Sequence, residues 1–92
     1  NALLHKWFGV ISKSHAENTG KFYHADMWKQ HLKEMFGYWQ EVEMPDGNMK
    51  RVLKSTADYD VAKMSKFMDA VDHYAGGGLH IFLPMPHIPE EE

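Results

Sequence analysis

The sequence predicts an α+β domain of three amphipathic helices, one β-hairpin and a short C-terminal strand. Apolar residues recur at helical spacing in three separate stretches. A Pro-Asp-Gly-Asn turn separates two strand-like stretches, and a five-residue apolar run follows three consecutive glycines. The chain has 92 residues, of which 43% are hydrophobic. A chain of this size and composition usually folds around a single core.

The first helix is predicted over residues 2–16, because apolar residues recur there on one face. The Asn-Thr-Gly sequence at residues 18–20 then ends it, since Asn and Gly tolerate the left-handed conformation typical of a helix end. The second helix is predicted from about Ala25, with Gly37 as its C-terminal cap. Its apolar stripe consists of Met27, Trp28, Leu32, Met35 and Phe36.

A β-hairpin is predicted next. Residues 38–44 and 49–55 are strand-like, and residues 45–48 between them read Pro-Asp-Gly-Asn. The Asp-Gly and Gly-Asn steps suit the positive φ angles of tight turns. This turn sequence is the clearest hairpin signal in the chain.

The third helix is predicted to begin after Asp60, whose side chain can accept hydrogen bonds from the first amides of a helix. The three glycines at residues 76–78 are expected to end it. Residues 79–83 are either a strand or an extended packing segment, and the length of this apolar run favours a strand. The apolar face of the third helix consists of Val61, Met64, Phe67, Met68, Val71 and Ala75.

The sequence predicts one domain over residues 1–84 and an extended Pro/Glu tail over residues 85–92. The formal charge is −3, and the three glutamates at residues 90–92 account for it. The remaining body is near neutral and lacks the broad basic surface of proteins that bind nucleic acid mainly through phosphates, so any DNA binding must be local. Because the chain opens with Asn1 inside a helical pattern, we expect this domain to be the C-terminal part of a longer protein.

The composition also bounds the location of the protein. No stretch approaches the roughly 20 apolar residues that span a membrane, and no basic-then-apolar leader opens the chain. The chain has no cysteine, which excludes a disulfide framework and a thiolate zinc site. We therefore expect a soluble, cytoplasmic protein without a membrane partner.

The sequence indicates neither a catalytic site nor a metal site. His24 and His31 are separated by about 10 Å along a helix, unlike the adjacent-turn histidines of an HExxH site. Two half-buried rings beside Trp28 are the favoured interpretation. Neighbouring carboxylates are explained as helix caps or solvated faces, and no serine lies in a GxSxG motif. We expect no catalytic residue, no metal and no cofactor, while a metal site assembled across the fold stays an alternative.

The hairpin carries the residues with nucleic-acid character, because aromatic rings can stack on unpaired bases while cations contact phosphates. The structural alternative is that its two aromatic residues pack on opposite sides and that its cations keep an edge strand soluble. Lysines of the second helix could converge with the hairpin on one groove. The candidate residues are Tyr38, Trp39, Lys50, Arg51 and Lys54 in the hairpin, and Lys29 and Lys33 in the helix.

Four stretches of the sequence follow one another in a characteristic order. They are NALLHKW at residues 1–7, MWKQHLK at residues 27–33 and KSTA at residues 54–57, which leads into MSKFM at residues 64–68. In order and spacing, these stretches resemble the phage NinB (Orf) family of recombination proteins over most of the chain. In that family a Gln-Asn-x-x-Leu/Met-Trp-like helix is followed by a Trp-Lys helix, a Ser-Thr loop and a final amphipathic helix. The β-rich part of the family would precede the present chain.

The resemblance implies a non-catalytic homodimer, in the host cytoplasm, that binds single-stranded DNA and the host single-strand-binding protein and helps to load a recombinase. Trp28 and Lys29 match the Trp-Lys pair, Ser55 and Thr56 match the loop, and Asn1 matches the Asn of the first motif. Two alternatives stay open. One is a protein-interaction module without DNA binding, and the other is a subunit of a metal-dependent nuclease.

Overall fold

The computed structural model describes residues 1–85, which form three α-helices and one two-stranded antiparallel sheet. The predicted α+β class with three helices and a hairpin is confirmed. Of the predicted tail, residues 86–92 lie outside the described residues. The elements are α1 (Ala2–Thr19), α2 (Ala25–Phe36), β1 (Trp39–Glu43), β2 (Met49–Leu53), a 3-10 turn (Thr56–Asp58), α3 (Val61–Tyr74) and a π-helical turn (Ala75–Leu79).

Side chains cap the start of each α-helix. The Asn1 side chain accepts a hydrogen bond from Leu4 N at 3.1 Å. Asp60 Oδ1 accepts from Lys63 N at 2.8 Å, so the predicted cap of the third helix is confirmed. At its other end, α1 runs three residues beyond the predicted end, to Thr19. It stops where Gly20 takes a φ of 78° and donates its N–H to Ala16 O at 2.8 Å.

One core joins the three helices to the chain that follows α3. Its buried residues include apolar side chains from every predicted stripe, which is what amphipathic helices around a single core require. Three residues predicted on these stripes are exceptions: Met27 and Met35 of α2 are 59% and 44% exposed, and Val61 of α3 is 87% exposed. Val61 was predicted on the core face, but it occupies the first position of α3, beside the cap, where it lines a surface groove. The core residues are Leu4, Trp7, Phe8, Ile11, Trp28, Leu32, Phe67, Val71, Ala75, Ile81 and Leu83.

The end of α3 differs from the prediction. The glycines at residues 76–78 do not end the helix; they form a π-helical turn that continues it to Leu79. Ile81 N donates to Ala75 O at 2.8 Å across this turn. The left-handed residue is His80, with a φ of 58°. The left-handed end of the helix therefore lies two residues after the last of the three glycines.

The predicted C-terminal strand is wrong, because residues 80–85 pair with no other strand among the described residues. Ile81 and Leu83 are buried, whereas Phe82 is 86% exposed, so the side chains alternate as they would in a strand. The segment packs on helices instead. Trp7 Nε1 of α1 donates to Pro84 O at 2.6 Å and fixes its end.

Candidate nucleic-acid interface

The register of the hairpin decides which candidate residues share a face. Trp39 pairs with Leu53, Glu41 with Arg51 and Val42 with Lys50. Directly paired residues of an antiparallel sheet point to the same side, and neighbours along a strand point to opposite sides. Trp39 and Arg51 therefore share one face, and Lys50 lies on the other.

We call the first of these the Trp39 face; it also carries Glu41, Glu43, Met49, Arg51 and Leu53. The guanidinium carbon of Arg51 lies 4.6 Å from the centroid of the Trp39 ring, the geometry of a cation–π contact. Trp39 remains 40% exposed. Glu41 faces Arg51 directly across the strands, so the charges on this face are mixed. The face offers an exposed aromatic ring with one positive charge already placed over it.

The opposite face is anchored to α3 by Tyr38. Lys54 N donates to Tyr38 O at 2.8 Å, which extends the pairing by one residue and puts both side chains on the Lys50 side. The Tyr38 ring packs edge-on against Tyr59 at 5.2 Å. Lys63 Nζ lies 5.6 Å from the Tyr38 ring centroid. Tyr38 is half-buried, so it supports the hairpin and leaves Trp39 as the exposed ring.

A carboxylate neighbours the cations of this second face. Asp60 Oδ2 lies 3.5 Å from Lys63 Nζ, and the Asp60 side chain also caps α3. The pKa of Asp60 is lowered, chiefly by the hydrogen bond from Lys63 N and further by the charges of Lys63 and Lys54. The positive charge around Tyr38 is thus partly balanced.

The two helix candidates precede the hairpin. Lys33 O accepts from Gly37 N at 2.7 Å, which places Lys33 one turn before the first strand, and Lys29 lies one turn earlier. The pKa of Lys33 is lowered, first by burial and then by the charge of Lys29. Two like charges on adjacent turns repel each other. The residues of the predicted site therefore lie on three separate surfaces: the Trp39 face, the opposite face of the hairpin that carries Lys50, and α2.

The histidines do not converge on a metal site within the described residues, where no group of three or more His, Asp or Glu side chains is placed to bind an ion. His24 and His31 are both exposed, which corrects the expectation of two half-buried rings. His24 Nδ1 accepts from Asp26 N at 3.1 Å as the cap of α2. His31 contacts the Trp28 ring at 6.1 Å.

Sequence reasoning missed the cluster around Trp28. His15 of α1 lies 5.0 Å from the Trp28 ring centroid, and Tyr23, in the connection between α1 and α2, lies 6.1 Å from it. His15 lies at the edge of the apolar stripe of α1, which is a weak signal. Tyr23 belongs to no periodic stretch, so no sequence pattern could have located it.

None of the helices within residues 1–85 is long and apolar enough to cross a membrane. Comparisons of the chain with protein-family models, with curated proteins and with solved structures found no match.

Proposed function

We propose that this chain is a non-catalytic accessory protein of phage or prophage recombination, which binds single-stranded DNA through the Trp39 face of its hairpin. The observation that carries the proposal is the exposed Trp39 ring with the Arg51 guanidinium 4.6 Å from its centroid. Proteins that bind single strands combine such stacking rings with cations that follow the phosphates. The resemblance to the phage NinB (Orf) family supports the same function.

The arrangement of the hairpin accounts for how a single strand would be held. A base stacks on Trp39, and stacking on an aromatic ring contributes about 1–3 kcal/mol per base. Neither strand has a second partner in residues 1–85, so β2 has a free edge between the two faces. Phosphates that pass over this edge meet Arg51 on one side and Lys50 and Lys54 on the other.

The charge balance argues for weak binding by one protomer. Glu41 and Glu43 lie on the Trp39 face, and the body of the chain is near neutral. A homodimer doubles the number of local cations that one strand can contact, and linked sites bind more tightly than separate ones. The proposal therefore includes a homodimer, and it includes the host single-strand-binding protein as a second partner during recombinase loading.

A fluorescence titration with single-stranded oligonucleotides at low salt tests the DNA claim. We expect Trp39→Ala and Arg51→Ala each to weaken binding at least about fivefold, through the loss of a stacked ring or of a cation beside it. Gln40→Ala is the matched control, because Gln40 is an exposed neutral residue on the opposite face of the same strand. Binding should also weaken with added salt. Absent binding, or binding indifferent to salt, would refute the proposal.

A protein-interaction module without DNA binding is the second candidate, and the exposed apolar side chains favour it. Phe22, Val61 and Phe82 are each more than half exposed, and apolar surface of this kind often contacts another protein. Capture of a partner that survives both nuclease treatment and high salt would favour this function over DNA binding.

The nuclease alternative is tested by metal analysis of the purified protein and by a cleavage assay with and without chelator.

A further inference from the structure

A surface groove lies between α1 and α3, and we call it the α1–α3 groove. Its volume is about 660 Å³, and the 3-10 turn and Met85 also contribute to its lining. α1 contributes Leu3 and Trp7, and α3 contributes Met64 and Met68. The lining of the groove is therefore mostly apolar.

Part of this apolar lining is open to solvent. Val61 is 87% exposed and Met85 is 63% exposed. Three of the seven methionines of the chain line the groove, namely Met64, Met68 and Met85. Methionine side chains are unbranched and flexible, so they can adapt to the shape of a bound segment. The groove thus offers apolar surface that a second molecule could cover.

The charged side chains that line the groove are two carboxylates, Asp60 and Asp69, and no lysine or arginine of residues 1–85 lines it. Asp60 already lies 3.5 Å from Lys63 Nζ, whereas the Asp69 side chain makes no ion pair or hydrogen bond within the described residues. The two carboxylates are about 13 Å apart along the axis of α3. Negative charge beside an apolar surface favours a partner that combines apolar and positively charged side chains.

We propose that the α1–α3 groove docks a basic amphipathic helix of another protein, on a surface separate from the Trp39 face. The apolar side of such a helix covers Val61 and the groove methionines, and a lysine or arginine beside it pairs with Asp69. A single strand of DNA is negatively charged, so the carboxylates repel it. The glutamates at residues 90–92 carry the same sign of charge, so electrostatics does not favour them as occupants. Docking in this groove does not depend on DNA binding.

The methionine methyl groups of the full chain provide the probes, because each gives its own signal in a ¹H–¹³C NMR spectrum. Two synthetic helical peptides of about 18 residues are compared, with leucines at the same positions and either arginines or glutamates on the polar face. The arginine peptide should bind at least about tenfold more tightly. It should shift the signals of Met64, Met68 and Met85 but not that of Met49 in the hairpin. Equal affinity of the two peptides, no binding, or an equal shift of the Met49 signal would overturn the inference.

Substitutions of exposed groove residues make the second test. Asp69→Asn should weaken binding of the arginine peptide at least about twofold, since it removes one exposed ion pair. Its control is Glu17→Gln, because Glu17 is an exposed carboxylate of α1 outside the groove. Val61→Ser should weaken binding about fivefold through the loss of apolar contact. Its control is Phe82→Ser, because Phe82 is exposed to a similar extent, 86%, and does not line the groove. Controls that weaken binding as much as the groove variants would overturn the inference.

The same methyl signals identify other occupants of the groove. Shifts of the groove signals when the chain alone is diluted would assign the groove to a second copy. The chain has no cysteine, so Glu91→Cys provides a single site for a spin label. Broadening of the groove signals by this label in dilute protein would assign the groove to the end of the chain itself. Either result, or a shift of the groove signals by oligothymidylate, would overturn the docking of a basic helix.

Discussion

Tyr59 joins the hairpin to the helical core through its ring and through its hydroxyl. The ring packs edge-on between Tyr38, at 5.2 Å, and Phe67, at 5.6 Å. The hydroxyl oxygen accepts a hydrogen bond from Tyr38 N at 3.3 Å. Burial raises the pKa of Tyr59, and the hydrogen bond from Tyr38 N opposes this effect. The same side chain therefore fixes the first residue of the hairpin and covers the core.

We expect Tyr59→Phe to lower the free energy of unfolding by about 1 kcal/mol, since the Tyr38 amide loses its acceptor while the ring stays in place. Urea denaturation followed by circular dichroism measures this change. Tyr74→Phe is the control, because the Tyr74 ring packs on Phe36 at 5.7 Å and its hydroxyl makes no hydrogen bond within residues 1–85. Equal stability of Tyr59→Phe and the native chain would show that the hydroxyl contributes nothing.

Two glycines that look alike in the sequence are expected to respond oppositely to alanine. A Cβ at Gly37 would lie 2.6 Å from Lys33 O and 2.8 Å from the Tyr59 hydroxyl, so Gly37→Ala should cost about 1–3 kcal/mol. Gly9 lies inside α1 with nothing near its Cβ position, so Gly9→Ala should stabilise the fold by about 0.5–1 kcal/mol. Thermal unfolding of both variants checks the sign. A gain of stability in Gly37→Ala would contradict the close packing at the base of the hairpin.

The start of α3 gives a prediction about pH. The pKa of Asp60 is lowered below its usual value of 3.8, first by the hydrogen bond from Lys63 N. As the pH falls, the unfolded chain takes up a proton at this carboxyl before the folded chain does. The stability that the ionised carboxylate contributes is present above the unfolded pKa and is lost as the pH falls through the lower folded pKa.

Asp60→Asn isolates this effect, because an amide oxygen also caps a helix but does not titrate. We expect the native chain to gain stability over Asp60→Asn as the pH rises from about 2 to about 5, and the difference to stay constant above that. Denaturation at a series of acidic pH values measures it. A difference that does not change over this range would mean that the Asp60 pKa is the same in the folded and unfolded states.

Helices and the hairpin could be predicted because their signals are local. The stripe of Met27, Trp28 and Leu32, or the turn at residues 45–48, is complete within a few neighbouring residues. Residues 79–83 could not be assigned in the same way. Their buried and exposed side chains alternate as in a strand, but a strand also needs a second strand to pair with. Whether such a strand lies beside them depends on the tertiary structure, which the local sequence does not reveal. Val61 fits the helical period of α3, yet its burial depends on how far the core extends.

At the scale of the whole molecule, the candidate site was predictable only in part. The hairpin cations could be named from the sequence, because they lie close together along the chain. That Tyr38 and Trp39 point to opposite sides could also be predicted, because successive side chains of a strand alternate between its two faces. The contact between Trp39 and Arg51 depends on the strand register, which the turn alone leaves open. The cluster of Tyr23 with His15 and Trp28 depends on the packing of α1 on α2, which no local pattern reveals.

The hairpin is the part of the described fold with the least support from the core. Every residue of β1 and β2 is exposed or half-buried, whereas Ile11 of α1 and Val71 of α3 are fully buried. An isolated two-stranded hairpin is marginal in water, so its amides should exchange with solvent through local opening, and those of the core only through global unfolding. We expect the paired amides of the hairpin to exchange at least about tenfold faster, equivalent to about 1.4 kcal/mol.

Hydrogen exchange followed by NMR or mass spectrometry tests this prediction in the native chain and in Tyr59→Phe. Tyr59→Phe should speed exchange in residues 39–53 more than in α1, because it removes the hydroxyl that accepts the hydrogen bond from Tyr38 N. A bound single strand should slow exchange in the same residues, since a ligand that binds only the closed hairpin shifts the opening equilibrium. Equal protection of the hairpin and α1 in the native chain would contradict local opening, and the hairpin would then be as stable as the core on which it rests.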